Sequence, residues 1–256
     1  MKALITGASS GMGEDMACIL AEKGYDLILT ARREEKMIAL KNRILAQNPD
    51  VHIEIIALDL SQKENCYALY EKTKNKSVDF LINNAGFGLC GKFTETDLDT
   101  ELKMIDTNIT AVHILTKLFL KDFVRRDSGR ILNVASSAGY MAGPLMSTYY
   151  ATKNYVRRLS QAIYQELKEE HSNVHISALC PGPVNTEFND VANVKFALDG
   201  LSSRFVAEYA IEQAFNNKLC IVPSFGMKTG VFFLRFIPEK LMLKISSHVQ
   251  KKKNQE

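Results

Sequence analysis

Seven short apolar runs, Ala3–Ile5, Asp26–Leu29, Val51–Leu58, Val78–Ile82, Arg130–Val134, Val174–Leu179 and Leu219–Val222, recur along the chain with segments of helical period between them. Parallel strands need long crossovers, and a helix is the usual one, so this alternation predicts an α/β fold with a doubly wound, mostly seven-stranded parallel sheet and helices on both faces. One stripe of 3.6-residue period runs through Leu98, Leu102, Ile105, Ile109, Val112, Phe119 and Phe123, and another through Val156, Leu159, Ile163 and Leu167. Both read as core faces.

At 256 residues, 46% apolar and 24% charged, the chain suits one core, and residues 1–256 read as a single domain. Its 32 Lys and Arg against 29 Asp and Glu leave a formal charge of only +3, which argues against a nucleic-acid partner. The five cysteines, Cys18, Cys66, Cys90, Cys180 and Cys220, are scattered and never in C-x-x-C spacing. Reduced thiols and a cytoplasmic location are expected, with neither a disulfide framework nor a zinc site. His171 and His175 straddle an expected helix end and suggest no metal pair.

The start, Met1–Thr6, is too short an apolar run for a signal peptide, and Val231–Ile245 is interrupted by Arg235, Pro238, Glu239, Lys240 and Lys244, so no membrane span is expected. Residues 185–230 carry few long apolar periodicities and are expected to hold loops and short helices, and about 185 to 215 read as a lid over the carboxyl ends of the strands. In a C-terminal tail from about 230 to 256, Leu241, Ile245 and Val249 form a stripe beside Lys240, Lys244 and Lys251–Lys253. Such a stripe either touches a membrane surface or packs over a pocket or a subunit neighbour.

The first strand runs into Thr6-Gly7-Ala8-Ser9-Ser10-Gly11-Met12-Gly13, which opens a helix. Glycines at such a turn let the backbone approach a pyrophosphate held by the helix N-terminus, the feature of a Rossmann-type sheet. The second strand ends at Ala31-Arg32-Arg33 with no acidic residue. An acid there would bind a free ribose 2′-hydroxyl, whereas Arg32 and Arg33 offer donors to a 2′-phosphate, so NADP(H) is favoured over NAD(H). The arginines could instead pair with Glu34 and Glu35.

Tyr149 and Lys153, at i and i+4, share one face of a helix, and a nearby ammonium favours the phenolate over the phenol. Tyr150 has Asn154 at i+4 and gains no such partner. Ser136 follows the Arg130–Val134 strand, thirteen residues before Tyr149, where a strand–loop–helix connection can bring its hydroxyl beside the phenol. Met141, Pro144, Leu145 and Met146, with Phe188, Val191, Val194 and Phe196 of the lid, suggest an apolar substrate or simply core.

Together, Thr6-Gly7-x3-Gly11-x-Gly13, Asp59, Asn83-Asn84-Ala85-Gly86, Asn108, Ser136, Tyr149-x3-Lys153 and Pro181-Gly182-Pro183-Val184-x-Thr186 resemble the short-chain dehydrogenase/reductase family over about residues 2–190. The resemblance implies an NADP(H)-dependent oxidoreductase acting on a carbonyl or secondary alcohol. Tyr149 would be its acid/base, Ser136 would orient the substrate oxygen, Lys153 would lower the tyrosine pKa and bind ribose, and Asn108 would hold a water. The cofactor residues it implies are Thr6, Gly7, Ser9, Ser10, Gly11, Met12, Gly13, Arg32, Arg33, Asp59, Leu60, Asn83, Ala85, Gly86, Tyr149, Lys153, Pro181, Gly182, Val184 and Thr186. It further implies a homo-dimer or homo-tetramer. A non-catalytic NADP(H)-sensing protein and a membrane-surface-associated reductase of lipid-like substrates are the alternatives.

Overall fold

The computed structural model describes residues 1–188 and 200–252, with side chains as far as Gln250. Its central sheet has seven parallel strands: β1 (Lys2–Thr6), β2 (Asp26–Ala31), β3 (Ile53–Ala57), β4 (Phe80–Asn83), β5 (Gly129–Val134), β6 (Val174–Leu179) and β9 (Cys220–Ile221). A separate pair joins β7 (Val184–Asn185) to β8 (Leu201–Ser202). The strand order is β3-β2-β1-β4-β5-β6-β9, so the winding reverses between β1 and β4 and opens a crevice beyond their carboxyl ends.

Strand side chains alternate between two cores, as a period of two requires. Leu4, Ile28, Leu81, Ile131 and Ile176 face one side, and Ala3, Ile5, Leu27, Leu29, Ile82 and Leu132 the other. The second face is covered by α1 (Gly11–Glu22), α2 (Glu34–Gln47) and α7 (Ser203–Phe215), through Met16, Leu20, Met37, Ile44 and Ile211. The first is covered by α3 (Lys63–Thr73), α5 (Val112–Arg125) and α6 (Ser147–Glu169), through Cys66, Leu69, Leu115, Phe119, Phe123 and Leu167.

Two expectations change here. Leu98 and Leu102, assigned to a core stripe, are 67% and 48% exposed. Between α4 (Leu98–Ile105) and α5 the chain makes a π-helical turn, Asp106–Ala111. Its extra residue shifts the buried face by one position, so α4 buries Glu101 and Met104 instead. Within the expected lid, residues 203–215 form α7, whose Val206, Ala207, Ala210, Ile211 and Ala214 are fully buried. Residues 189–199, with the expected pocket residues Val191, Val194 and Phe196, lie outside the described residues.

After β9 come α8 (Phe225–Phe233), a 3-10 turn (Leu234–Phe236) and α9 (Glu239–Lys252). Among the described residues no helix is long and apolar enough to cross a membrane.

Candidate active site

The crevice between β1 and β4 continues as one cleft of about 490 Å³ that reaches the start of α6. At one end Gly7 and Gly11 take left-handed backbone angles, φ +65° and +55°. A Cβ on Gly13 would lie 2.3 Å from the Gly7 carbonyl oxygen, so the turn closes only with glycine there. The turn is tied to the end of β4 from both sides. Thr6 Oγ1 accepts from the Asn84 and Ala85 amides, each at 2.9 Å, while Asn84 Nδ2 donates to the carbonyls of Thr6 and Gly7 at 3.0 and 3.1 Å.

Ser10 stands at the N-cap of α1 without capping it. Its hydroxyl, with that of Ser9, instead accepts from the Arg33 guanidinium at 2.9–3.3 Å. The first-turn amides of α1 therefore have no side-chain cap, and they adjoin a fixed cation. Arg33 also pairs with Glu187 at 2.9 Å, as Lys36 does at 2.6 Å. Lys36 first, then Arg33, holds the Glu187 carboxyl down at about 2. A glycine turn of left-handed backbone, an uncapped helix N-terminus and two arginines at the edge suit a dinucleotide with phosphate at that end.

At the other end stand Ser136, Tyr149 and Lys153. Ser136 ends the stretch beyond β5, where its hydroxyl accepts from the Ala138 amide at 3.1 Å. Tyr149 and Lys153 lie in the first two turns of α6 and are buried. Burial pushes the Tyr149 phenol up to about 12, opposed by its hydrogen bond with Ser136. Burial also brings the Lys153 ammonium down to about 8. Lys153 Nζ donates to the Val134 carbonyl at 2.9 Å and sits 5.8 Å from the Tyr149 ring centroid. The downward pull on the phenol thus comes from Ser136, because the lysine is bonded to main chain instead of the phenol.

Most expected residues meet in this cleft: Gly7, Ser9, Ser10, Gly11, Met12, Arg32, Arg33, Asp59, Leu60, Ala85, Gly86, Ser136, Tyr149, Lys153, Pro181, Gly182, Val184 and Thr186. Thr6, Gly13, Asn83 and Asn108 are not part of its lining. Thr6 and Gly13 shape the turn from behind. Asn83 is the last residue of β4 and points to the α5 face of the sheet, donating to Thr116 Oγ1 at 3.0 Å and Asn133 Oδ1 at 2.8 Å. Asn108, buried in the π turn, pairs with both the N–H and the carbonyl of Phe87 and donates to Thr152 Oγ1. Both Nδ2 hydrogens are engaged with protein, so the side chain ties the loop after β4 to α6. Asp59 lines the cleft while its carboxylate accepts from the Ser61 amide at 3.0 Å.

Sequence reasoning missed Glu187 and Tyr150, which line the cleft together with Asn84 of the expected Asn83–Gly86 run. Strand parity separates the roles of Asn83 and Asn84, since successive residues face opposite ways. The Tyr150 hydroxyl, which has no lysine at i+4, accepts from Gln250 Nε2 of α9, a contact one hundred residues away that local spacing cannot reveal. Met146, Phe87 and Phe188 add an apolar wall, with the Phe188 and Tyr149 rings 5.4 Å apart.

A family model described as short chain dehydrogenase matches residues 1–210. An uncharacterized oxidoreductase of Staphylococcus saprophyticus is 32% identical over 215 residues, covering 82% of this chain and 91% of its own. A very-long-chain 3-oxoacyl-CoA reductase of Mycosarcoma maydis is 33% identical over 181 residues, 69% of this chain and 51% of its own. Among solved structures, a short-chain dehydrogenase from Sphingobium yanoikuyae in complex with NADPH superposes with a TM-score of 0.84 at 28% identity, covering 94% of each chain.

Proposed function

The chain belongs to the short-chain dehydrogenase/reductase family of oxidoreductases, and on that premise we propose that it moves a hydride between NADP(H) and a carbonyl or secondary alcohol of an apolar substrate. The observation that carries this reading is the two-ended cleft, with Arg33 on Ser9 and Ser10 at one end and Ser136, Tyr149 and Lys153 at the other. Bound there, the reduced nicotinamide supplies a hydride to the carbonyl carbon.

Tyr149 delivers the proton. A phenol held near 12 is fully protonated at neutral pH, which is the form reduction needs. The Ser136 hydroxyl, already paired with that phenol, orients the substrate oxygen beside it. Once the proton has left, the Lys153 ammonium 5.8 Å from the ring favours the phenolate that remains. Asn108 holds Phe87 and Thr152 in place around these groups.

The apolar substrate is supported by the wall of Met146, Phe87 and Phe188. The relative that reduces very-long-chain 3-oxoacyl-CoA makes an acyl-type carbonyl one candidate, although this chain spans about half that protein's length. A cytoplasmic homo-oligomer belongs to the same reading. Its support is the exposure of Leu98, Leu102, Val124 and Tyr155 on α4, α5 and α6, together with the free thiols of Cys18, Cys66, Cys180 and Cys220. NADPH absorbance followed across steroids, acyl ketones, quinones and aldehydes tests the reaction. Turnover of an apolar carbonyl is expected, and a protein that binds NADPH yet turns over none of them is not this enzyme.

A further inference from the structure

Helix α9 is arranged inside out. Its buried positions include Ser246 and Gln250, the latter 2% exposed, and these polar groups reach inward to the Ala142 carbonyl at 2.9 Å and to the Tyr150 hydroxyl. Its apolar stripe of Leu241, Ile245 and Val249 is exposed. A surface helix of a globular protein normally does the reverse. Helix α8 buries Val231 but leaves the larger Phe225, Phe232 and Phe233 exposed. Phe225 and Phe236 reach 85% and 71% exposure, and the Phe232 ring meets those of Phe233 and Phe236 edge-on at 5.5 and 5.6 Å. The Phe232, Phe233 and Phe236 rings form one patch, not isolated exposed residues.

The charge around this patch has one sign. Residues 224–252 contain Lys228, Arg235, Lys240, Lys244, Lys251 and Lys252 against Glu239 alone. Among the described residues none of Lys228, Arg235, Lys240 and Lys244 forms an ion pair with an acid; Lys228 donates to the Tyr209 hydroxyl. A second copy of the chain would bring this basic set against itself across a two-fold axis, which like-charge repulsion opposes. An anionic lipid surface complements both the phenylalanines and the lysines. No described helix can span a bilayer, so the contact is one of lying on the surface.

We propose that α8, the Leu234–Phe236 turn and α9 form a docking surface for an anionic lipid bilayer, with the exposed phenylalanines and the Leu241–Ile245–Val249 stripe in the interface and the lysines on lipid phosphates. The inner side of the same element touches the cleft. Gln250 holds Tyr150, and the Met227 methyl lies 2.6 Å from where a Cβ on Gly182 would stand. Docking therefore sets the substrate end of the cleft beside the membrane. The inference rests on the surface itself and stands apart from the reductase reading.

Co-sedimentation of the full chain with phosphatidylcholine vesicles, with and without phosphatidylglycerol, tests it. The wild type should pellet with the phosphatidylglycerol vesicles and be released by salt. Phe232→Ser/Phe233→Ser/Phe236→Ser and, separately, Lys240→Glu/Lys244→Glu should each lower the bound fraction at least about tenfold with an unchanged circular dichroism spectrum. The lysine variant keeps the test valid if the phenylalanine variant misfolds. No pelleting, pelleting indifferent to lipid charge, or a dimer by light scattering that the phenylalanine variant converts to monomer would each overturn the proposal.

Discussion

At its nucleotide end the cleft is floored by main chain, the Gly7–Gly13 turn, the uncapped start of α1 and the Asn84–Gly86 segment that Thr6 ties in, with Arg33 at the edge on Ser9 and Ser10. At its substrate end it is walled by side chains, Met146, Tyr149, Tyr150 and Phe188, backed by residues of α8 and α9. A main-chain wall tolerates almost any side chain provided glycine stands where a Cβ would collide. A side-chain wall changes its chemistry with each substitution. The two ends should therefore fail in different ways.

The largest separation is expected from Tyr149→Phe. The ring keeps its place against Phe188 and Tyr150, so only the hydroxyl is lost. Turnover of a good substrate should fall about 10²–10⁴-fold while NADPH affinity, read by fluorescence titration, stays unchanged. Near-normal turnover would take the proton transfer away from Tyr149.

Gly13→Ala attacks the other end, and its effect should not stay local. The new methyl would sit 2.3 Å from the Gly7 carbonyl oxygen and 2.5 Å from Asn84 Nδ2, so the turn and the end of β4 must both shift. Urea unfolding should show a loss of roughly 2–3 kcal/mol, with nucleotide binding weakened alongside it. A variant of unchanged stability would mean that the turn can open without cost, and the contrast between rigid and adaptable ends would lapse.

This contrast also governs how much was legible in the sequence. Glycine spacing, the strand–helix alternation and Tyr149-x3-Lys153 are local patterns with a local physical cause, and the cleft contains them. The Leu98–Leu102 stripe misled because one residue inserted in the π turn rotates everything before it, which a fixed 3.6-residue period cannot register. That helix α7 packs into the core and is no part of a lid was hidden because its buried face is made largely of alanines, which pack closely but give a weak apolar signal. Asn83 and Asn84 are adjacent and identical, and only strand parity sends one inward and the other to the cleft. The pairing of Tyr150 with Gln250 is purely tertiary.

Lys153 sharpens the comparison through stability. Burial lowers its folded-state pKa to about 8 from an ordinary value of 10.5. The unfolded chain then binds more protons between those values, so stability should rise with pH across that window, and the penalty is complete below about pH 8. Lys153→Met should raise unfolding stability at pH 7 by about 1–3 kcal/mol and flatten the rise above pH 8, even as turnover falls. A less stable variant would show that the bond to Val134, not the buried charge, dominates at this position.

The smallest effect concerns Arg33, where the nucleotide end does depend on side chains. Its guanidinium is held by Ser9 and Ser10 and already carries an anion, the Glu187 carboxylate, which Lys36 shares. A 2′-phosphate needs the same donors, so carboxylate and phosphate compete for one site. Arg33→Ala should weaken NADPH about tenfold more than NADH, and equal losses for the two would remove Arg33 from the phosphate. Glu187→Gln keeps the shape and removes the charge. Because these side chains are partly solvent-exposed, the gain should be slight, about twofold tighter NADPH with NADH unchanged. Weaker NADPH binding in Glu187→Gln would reverse the assignment, making the carboxylate an organiser of Arg33 and not its competitor. The nucleotide end would then owe its phosphate site to a side-chain network as specific as the one around Tyr149.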